Sequence, residues 1–134
     1  MRQAGRVSIQ LQRTILEAIL AEAARTPTVE ICGLLFGTAD RIAAARPAAN
    51  VAPDAARTFE IDPVALIAAH RAQRLGGPRL IGCYHSHPGG SPEPSARDRE
   101  AAEPGALWLI LGSGVARAWR ATSDGFQPLS IEIV

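Results

Sequence analysis

Two short apolar runs constrain the fold of this chain more than any other feature. They are residues 29–37, VEICGLLFG, and residues 79–87, RLIGCYHSH. Each is short for a helix, and its near-continuous apolar character is typical of a strand that is buried on both faces. A sheet covered on both faces needs helices packed against it. The two runs therefore predict an α/β fold with a mixed sheet and flanking helices.

The remaining elements follow from periodicity and from turn residues. Ser8 is a candidate N-cap for a helix that ends before Pro27, and Asp62-Pro63 predicts the start of a second helix that ends at Gly76-Gly77. The apolar stripe predicted for the first helix comprises Leu11, Ile15, Leu16, Ile19, Leu20 and Ala23. A short helix is predicted over residues 95–103, loops over 50–59 and 88–94, and strands over 41–46, 106–111, 115–121 and 126–134.

Size and composition indicate one globular domain, residues 1–134. Hydrophobic residues make up 47% and charged residues 20%, and the net charge of +1 gives no electrostatic reason to expect a nucleic acid or an anionic membrane as partner. The N-terminus lacks the apolar region of a signal peptide, and no apolar stretch approaches the roughly 18 residues of a membrane span. Cys32 and Cys83 lie in apolar runs, which favours buried, reduced thiols over a secreted disulfide framework. We therefore expect a soluble cytoplasmic protein.

The segment from Tyr84 to Asp98, YHSHPGGSPEPSARD, carries the chemistry. Residues two apart on a strand point to the same face, so His85 and His87 project together. A loop then returns the chain, and Asp98 arrives from the first turn of the next helix. Two imidazoles and a carboxylate, with a fourth position left for water, form the ligand set of a catalytic zinc site.

Other interpretations of these residues remain open. A histidine pair alone is a weak signal, because one ring can bond in the core while the other faces solvent. Ser95 and Asp98 also form a capping-box pattern, S-x-x-D. The chain has three histidines, and the third, His70, lies in a predicted helix among alanines, where we interpret it as a surface or packing residue.

Glu30 is the other candidate. It opens the first apolar run, where a carboxylate is costly to bury unless it is paired or functional. A glutamate at a strand end that reaches water is the ordinary alternative. If Glu30 faces the metal instead, it can accept a proton from metal-bound water and return it to a leaving amine.

Taken together, these residues resemble the signature of the JAMM (MPN-plus) family of zinc metallopeptidases, in its compact prokaryotic form. That signature is a glutamate, followed downstream by H-[ST]-H-P and S-x-x-D, with ten residues between the second histidine and the aspartate. Here Glu30 begins the segment EICGLLFG, HSHP is residues 85–88, and Asp98 completes S-x-x-D. One departure is Cys83, where the family often has a larger residue before Tyr-His.

The resemblance implies a cytidine-deaminase-like fold with a zinc site at the edge of the sheet. It implies that His85, His87 and Asp98 bind Zn²⁺, that Glu30 is the general acid/base, and that Ser95 helps to stabilise the oxyanion. It also implies hydrolysis of a peptide or isopeptide bond after the C-terminal Gly-Gly of a ubiquitin-like protein. The compact spacing resembles that of bacterial and archaeal members of the family, and this resemblance implies a ubiquitin-like sulfur carrier as the partner.

Three further hypotheses accompany this prediction. The segment 50–59 is a candidate for holding the extended substrate tail by strand addition, although a plain loop explains it equally well. A catalytically silent MPN scaffold is a less favoured alternative, since the glutamate and all three ligands are present. A zinc hydrolase of unrelated peptides or of a nucleobase is another, but the P-C-x-x-C ligand pair of the deaminases is absent from the sequence.

Overall fold

A computed structural model of the protein describes residues 7–134. Within this range the chain forms seven strands and three helices, and the seven strands make one closed sheet. The elements are β1 Ser8–Leu11, α1 Arg13–Arg25, β2 Cys32–Thr38, β3 Arg41–Ala48, α2 Pro63–Arg74, β4 Leu80–Ser86, α3 Ala96–Ala101, β5 Leu107–Gly112, β6 Val115–Thr122 and β7 Gly125–Ile133.

The sheet is mixed, as the sequence predicts, but it also closes on itself. The strand order is β1-β3-β2-β4-β5-β6-β7, and β1 pairs in parallel with β7 to complete the ring. The pairs β1–β3 and β4–β5 are also parallel, and the remaining pairs are antiparallel. Closure leaves each described strand with a partner on both sides, which removes exposed sheet edges.

The predicted N-terminus of the first helix is wrong. Ser8 does not cap a helix; it begins β1, and α1 starts only after Gln12. Ile9 and Leu11 are fully buried, because the strand pairs with β3 and β7 and turns these two side chains into the core. Pairing with distant strands therefore prevails over a local cap signal. The later part of the predicted stripe is correct, and its centre, Ile19, is buried on α1.

The sheet is apolar on both faces, which confirms the prediction from the two apolar runs. Five consecutive residues of β2 are buried, and all six residues of β5 are buried. Alternate side chains of these strands enter different clusters. Leu35 and Tyr84 belong to the main core with α1, whereas Leu34 packs under α2 and Trp108 packs beside α3.

Helices α2 and α3 begin where the sequence predicts. Asp62 caps α2 by accepting a hydrogen bond from the Val64 N–H, and Pro63 occupies the first turn.

The two cysteines are free thiols, with Cys32 buried and Cys83 partly buried. Among residues 7–134 the structure contains no helix that is both long and apolar enough to traverse a bilayer.

Candidate metal centre

The two histidines of the HSHP motif lie at the C-terminal end of β4. This strand lies between β2 and β5, and the His87 N–H extends the pairing by donating to the Leu111 carbonyl at 2.7 Å. The site therefore lies at the edge that is formed by strand ends, and not beside an unpaired edge strand. The site is at the end of an interior strand, where the chain leaves the sheet at Pro88 and both imidazoles project from a backbone held on both sides.

Asp98 reaches the same point from α3. The predicted capping box is present: the Ser95 hydroxyl accepts from the Asp98 N–H at 3.1 Å, and the Asp98 carboxylate accepts from the Ser95 N–H at 2.9 Å. The same carboxylate lies 3.2 Å from Nε2 of His85 and 3.2 Å from Nε2 of His87. Capping and convergence on the histidines both involve Oδ2 of Asp98, and Oδ1 also lies 3.2 Å from Nε2 of His85. The two functions are compatible because an ionised carboxylate offers about four lone-pair sites.

The three side chains are arranged as ligands of a single ion would be. The two Nε2 atoms are 3.1 Å apart, and each is 3.2 Å from Asp98. Tetrahedral bonds of 2.0–2.1 Å place neighbouring ligand atoms about 3.3–3.4 Å apart. The observed spacings are close to that value. The donor set and its geometry therefore fit a four-coordinate cation with one position left open.

Glu30 lies two residues before the start of β2 and faces the same group. Oxygen and nitrogen ligand atoms of Glu30, His85 and His87 all lie within 4.8 Å of one another. The segment is held in place by the next residue: the Ile31 N–H donates to the Ser86 hydroxyl at 3.0 Å, and the Ser86 N–H donates to the Ile31 carbonyl at 3.1 Å. These bonds fix Glu30 beside the strand that carries the histidines.

The two carboxylates of the site have different acidities. Burial raises the pKa of Glu30, which is only 5% exposed, to about 7. Burial also opposes the ionisation of Asp98, but hydrogen bonds from His85 and His87 outweigh it and hold the pKa of Asp98 well below its usual range. Asp98 is therefore suited to a permanent negative charge, and Glu30 to the gain and loss of a proton near neutral pH.

The two imidazoles also differ. Burial lowers the pKa of His85. Burial acts in the same direction on His87, but hydrogen bonds to Asp98 and to the Ser91 carbonyl raise the pKa of His87 overall. A neutral ring such as that of His85 has a free lone pair, which is the form that binds a metal.

Ser95 is exposed at the start of α3 and borders an open cleft of about 450 Å³. Because the Ser95 oxygen accepts the Asp98 N–H, its own hydroxyl proton remains free to donate. Glu30 and His87 line the same cleft, as do Ala56 and Arg57 of the loop before α2. The third histidine, His70, is exposed on α2, in agreement with its interpretation as a surface residue.

Aromatic residues around His85 were not predicted as part of the site. The Phe59 ring stacks on the His85 ring with centroids 4.2 Å apart, and Trp108 approaches the His85 ring edge-on at 5.3 Å. Their sequence signal is slight: Phe59 ends a loop and Trp108 lies in an apolar strand. Only the tertiary structure brings them to the histidine.

Asn50 is a further residue whose contribution to the site was not predicted. Its amide donates to the carbonyls of Glu30 at 2.9 Å and Thr58 at 3.1 Å, and its oxygen accepts from the N–H groups of Ala52 and Glu60. All four hydrogen-bonding positions of the amide are thereby used. Asn50 joins the main chain at Glu30 to the loop that carries Phe59.

Replacing Asn50 by aspartate should destabilise the protein. Asn50→Asp keeps the accepting oxygen but loses both donors, so two carbonyls lose their partners; the free energy of unfolding should fall by about 1–3 kcal/mol. Urea denaturation measures this change through the midpoint at constant slope. In Asn50→Ala, which also removes the acceptor, the free energy of unfolding should fall further. An unchanged midpoint in both variants would show that the four bonds do not stabilise the fold.

Comparison with known proteins identifies the family. Residues 12–122 match the family model described as prokaryotic homologs of the JAB domain. The chain belongs to this family. Its membership confirms the resemblance drawn from the motifs and places the chain among the metal-dependent JAMM-type hydrolases.

Two relatives match this JAB-family protein over most of its length. It is 38% identical over 126 residues to a desampylase of Haloferax volcanii, covering 90% of this chain and 89% of the relative. It is 32% identical over 111 residues to a probable TtuB-protein conjugate cleaving protease of Thermus thermophilus, covering 83% of this chain and 74% of the relative.

Solved structures agree with the fold of the JAB-family protein. A Desulfitobacterium hafniense protein determined in solution superposes with a TM-score of 0.81 at 28% identity, covering 94% of this chain and 92% of the other. A JAB1/MPN domain protein from Archaeoglobus fulgidus superposes with a TM-score of 0.61 at 19% identity, covering 98% and 99% of the two chains. The predicted α/β fold class is therefore confirmed.

Proposed function

We propose that this protein hydrolyses the peptide or isopeptide bond after the C-terminal Gly-Gly of a ubiquitin-like sulfur-carrier protein. The observation that carries the proposal is the convergence of His85, His87 and Asp98 within 3.1–3.2 Å of one another, with Glu30 beside them. The names of the relatives, desampylase and TtuB-protein conjugate cleaving protease, support the substrate class. The free thiols of Cys32 and Cys83 agree with our inference that the protein works in the cytoplasm.

In this proposal Zn²⁺ is the resident metal, and His85, His87 and Asp98 would hold it. When bound, zinc supplies a polarising charge for the scissile carbonyl and lowers the pKa of a water molecule toward about 7. Two nitrogens and one oxygen are a ligand set that suits zinc. Of the two imidazoles, that of His87 has a hydrogen-bonding partner for its outer nitrogen, because its Nδ1 lies 2.8 Å from the Ser91 carbonyl.

Glu30 and Ser95 would perform the remaining steps. The Glu30 carboxylate accepts a proton from the attacking water and delivers it to the nitrogen of the leaving amine as the C–N bond breaks. A pKa of about 7 allows Glu30 to exist in both forms near neutral pH. The Ser95 hydroxyl, which is free to donate, bonds to the carbonyl oxygen as negative charge develops on it.

The cleft provides a path for the substrate tail. The loop before α2 forms one wall with Ala56 and Arg57, and the segment after β4 forms the other. Strand addition by residues 50–59 is not favoured by the backbone, because the N–H groups of Arg57 and Thr58 already donate to the Asp54 carbonyl. We therefore propose that the loop contacts the tail through its side chains.

Removing the Arg57 side chain tests this contact. Arg57→Ala should raise KM for a carrier conjugate, because the side chain lines the cleft. It should leave kcat close to its original value, because Arg57 takes no part in the proposed proton transfer. Steady-state kinetics measure both constants. Arg71→Ala, which removes an exposed arginine of α2, is the matched control. Unchanged KM in Arg57→Ala would refute a contact between this wall and the tail.

A cleavage assay combined with metal analysis tests the function itself. The purified protein should contain one zinc per chain, and it should cleave a sulfur-carrier fusion after Gly-Gly but leave unrelated peptides intact. His70→Ala should retain both properties, since His70 is exposed outside the site. A protein that binds no metal would be a scaffold. A metal-loaded protein that cleaves unrelated peptides equally well would be a general peptidase, and either result would overturn the proposal.

A further inference from the structure

The two histidine rings of the site are held by different means. Nδ1 of His87 lies 2.8 Å from the Ser91 carbonyl, which fixes that ring by a hydrogen bond. His85 is fully buried, and its Nδ1 has no hydrogen-bonding partner among residues 7–134. A ligating histidine normally donates its outer N–H to a carboxylate or a carbonyl, and that bond orients the ring. Something else must orient His85.

Two aromatic rings enclose the His85 imidazole. Phe59 stacks on its face, with ring centroids 4.2 Å apart and planes inclined by 21°. Trp108 meets it edge-on at 5.3 Å with an interplanar angle of 88°, and Phe59 and Trp108 contact each other at 5.7 Å. Rotation of the imidazole about its side-chain bonds would drive it into one of these rings, so the packing allows a narrow range of orientations.

We propose that Phe59 is a positioning residue for the metal ligand His85, and that its stacked ring takes the place of the missing hydrogen bond. The contact keeps Nε2 of His85 directed toward Nε2 of His87 and the carboxylate of Asp98. This inference rests on the proposed metal site. It assigns a function to the end of the 50–59 segment that is separate from any contact with substrate.

The chain offers a matched control for this assignment. Phe126 is partly buried, as Phe59 is, and belongs to the same aromatic cluster. Its ring contacts Trp108 edge-on at 5.4 Å, and in the described part of the chain it is not one of the rings packed on His85. A general loss of packing should therefore appear in variants of both phenylalanines, and a loss of ligand orientation only in variants of Phe59.

The test compares Phe59→Leu with Phe126→Leu by metal binding rather than by turnover alone. Chelator competition measures the affinity for Zn²⁺, and the visible spectrum of the Co²⁺-substituted protein reports ligand geometry. Phe59→Leu should bind zinc about 10- to 100-fold more weakly, the usual loss when an outer partner of a ligand is removed. Its Co²⁺ spectrum should change even at saturation. Phe59→Tyr, which retains the flat ring, should restore both properties.

Each outcome has a distinct meaning. If the unchanged protein binds no zinc, the proposed function fails and not this inference alone. If the unchanged protein binds zinc and Phe59→Leu binds it equally well, the inference is overturned. An equal loss in Phe126→Leu would also overturn it, because the effect would then be one of packing. Should Phe59→Leu fail to fold, Phe59→Met, similar in volume but without a flat face, should show the same weakened affinity.

Discussion

Glu30→Gln should leave the protein folded and metal-loaded but nearly inactive. Turnover should fall about 100- to 10,000-fold, the range that a positioned general acid/base contributes. Glutamine retains the shape and the polarity of glutamate but cannot accept and return a proton. Because Glu30 is not one of the three side chains assigned to the metal, zinc content should stay at one ion per chain.

The electrostatics of the site give the reason for this separation of effects. Glu30 is buried, which raises its pKa to about 7, whereas Asp98 is held ionised by two histidines. A carboxylate that carries protons must not be bound permanently as a ligand, and a ligand must not be protonated at the working pH. The two acids therefore divide the two functions, and substitution of each should affect a different measurement.

A second acid on the same cleft serves as the control for Glu30. Glu93 lines the cleft but is exposed on the loop after β4. Glu93→Gln removes the same charge by the same chemical change and should leave kcat close to its original value. Steady-state kinetics and metal analysis of the two variants decide the matter. A Glu30→Gln enzyme with undiminished kcat would remove Glu30 from the mechanism.

Local signals in the sequence predicted most of the elements and the juxtaposition of the two histidines. The continuous apolar runs predicted β2 and β4, Asp62-Pro63 predicted the start of α2, and S-x-x-D predicted the cap of α3. Each of these depends on neighbours within a few residues. The histidine pair belongs to the same class, since alternation along one strand suffices to place both rings together.

Interactions between distant segments account for what could not be predicted. The sequence around Ser8 carries an acceptable cap signal, and only its pairing with β7, more than a hundred residues away, makes it a strand. The same is true of Phe59, which is separated from His85 by a helix and most of a strand. A hydrophobic residue at the end of a loop gives no sign of which ring it will meet.

Asp98→Asn should separate metal binding from folding. Asparagine can still accept the Ser95 N–H through its amide oxygen, so the capping box and α3 should persist with little change in the free energy of unfolding. The loss of negative charge beside two imidazoles should weaken zinc binding by more than about 100-fold, since even outer-shell partners contribute 10- to 100-fold. Turnover should fall with occupancy.

The matched control is the other helix-capping aspartate, Asp62 at the start of α2. Asp62→Asn makes the same chemical change at a cap that does not belong to the metal centre. Urea denaturation should give similar, small effects for both variants, while chelator competition should find weakened zinc binding only in Asp98→Asn. Asp98→Ala, which loses the cap as well, should lose both stability and metal. If Asp98→Asn keeps its zinc affinity, Asp98 serves α3 alone, and Glu30, whose carboxylate lies within 4.8 Å of both histidines, becomes the candidate for the third ligand.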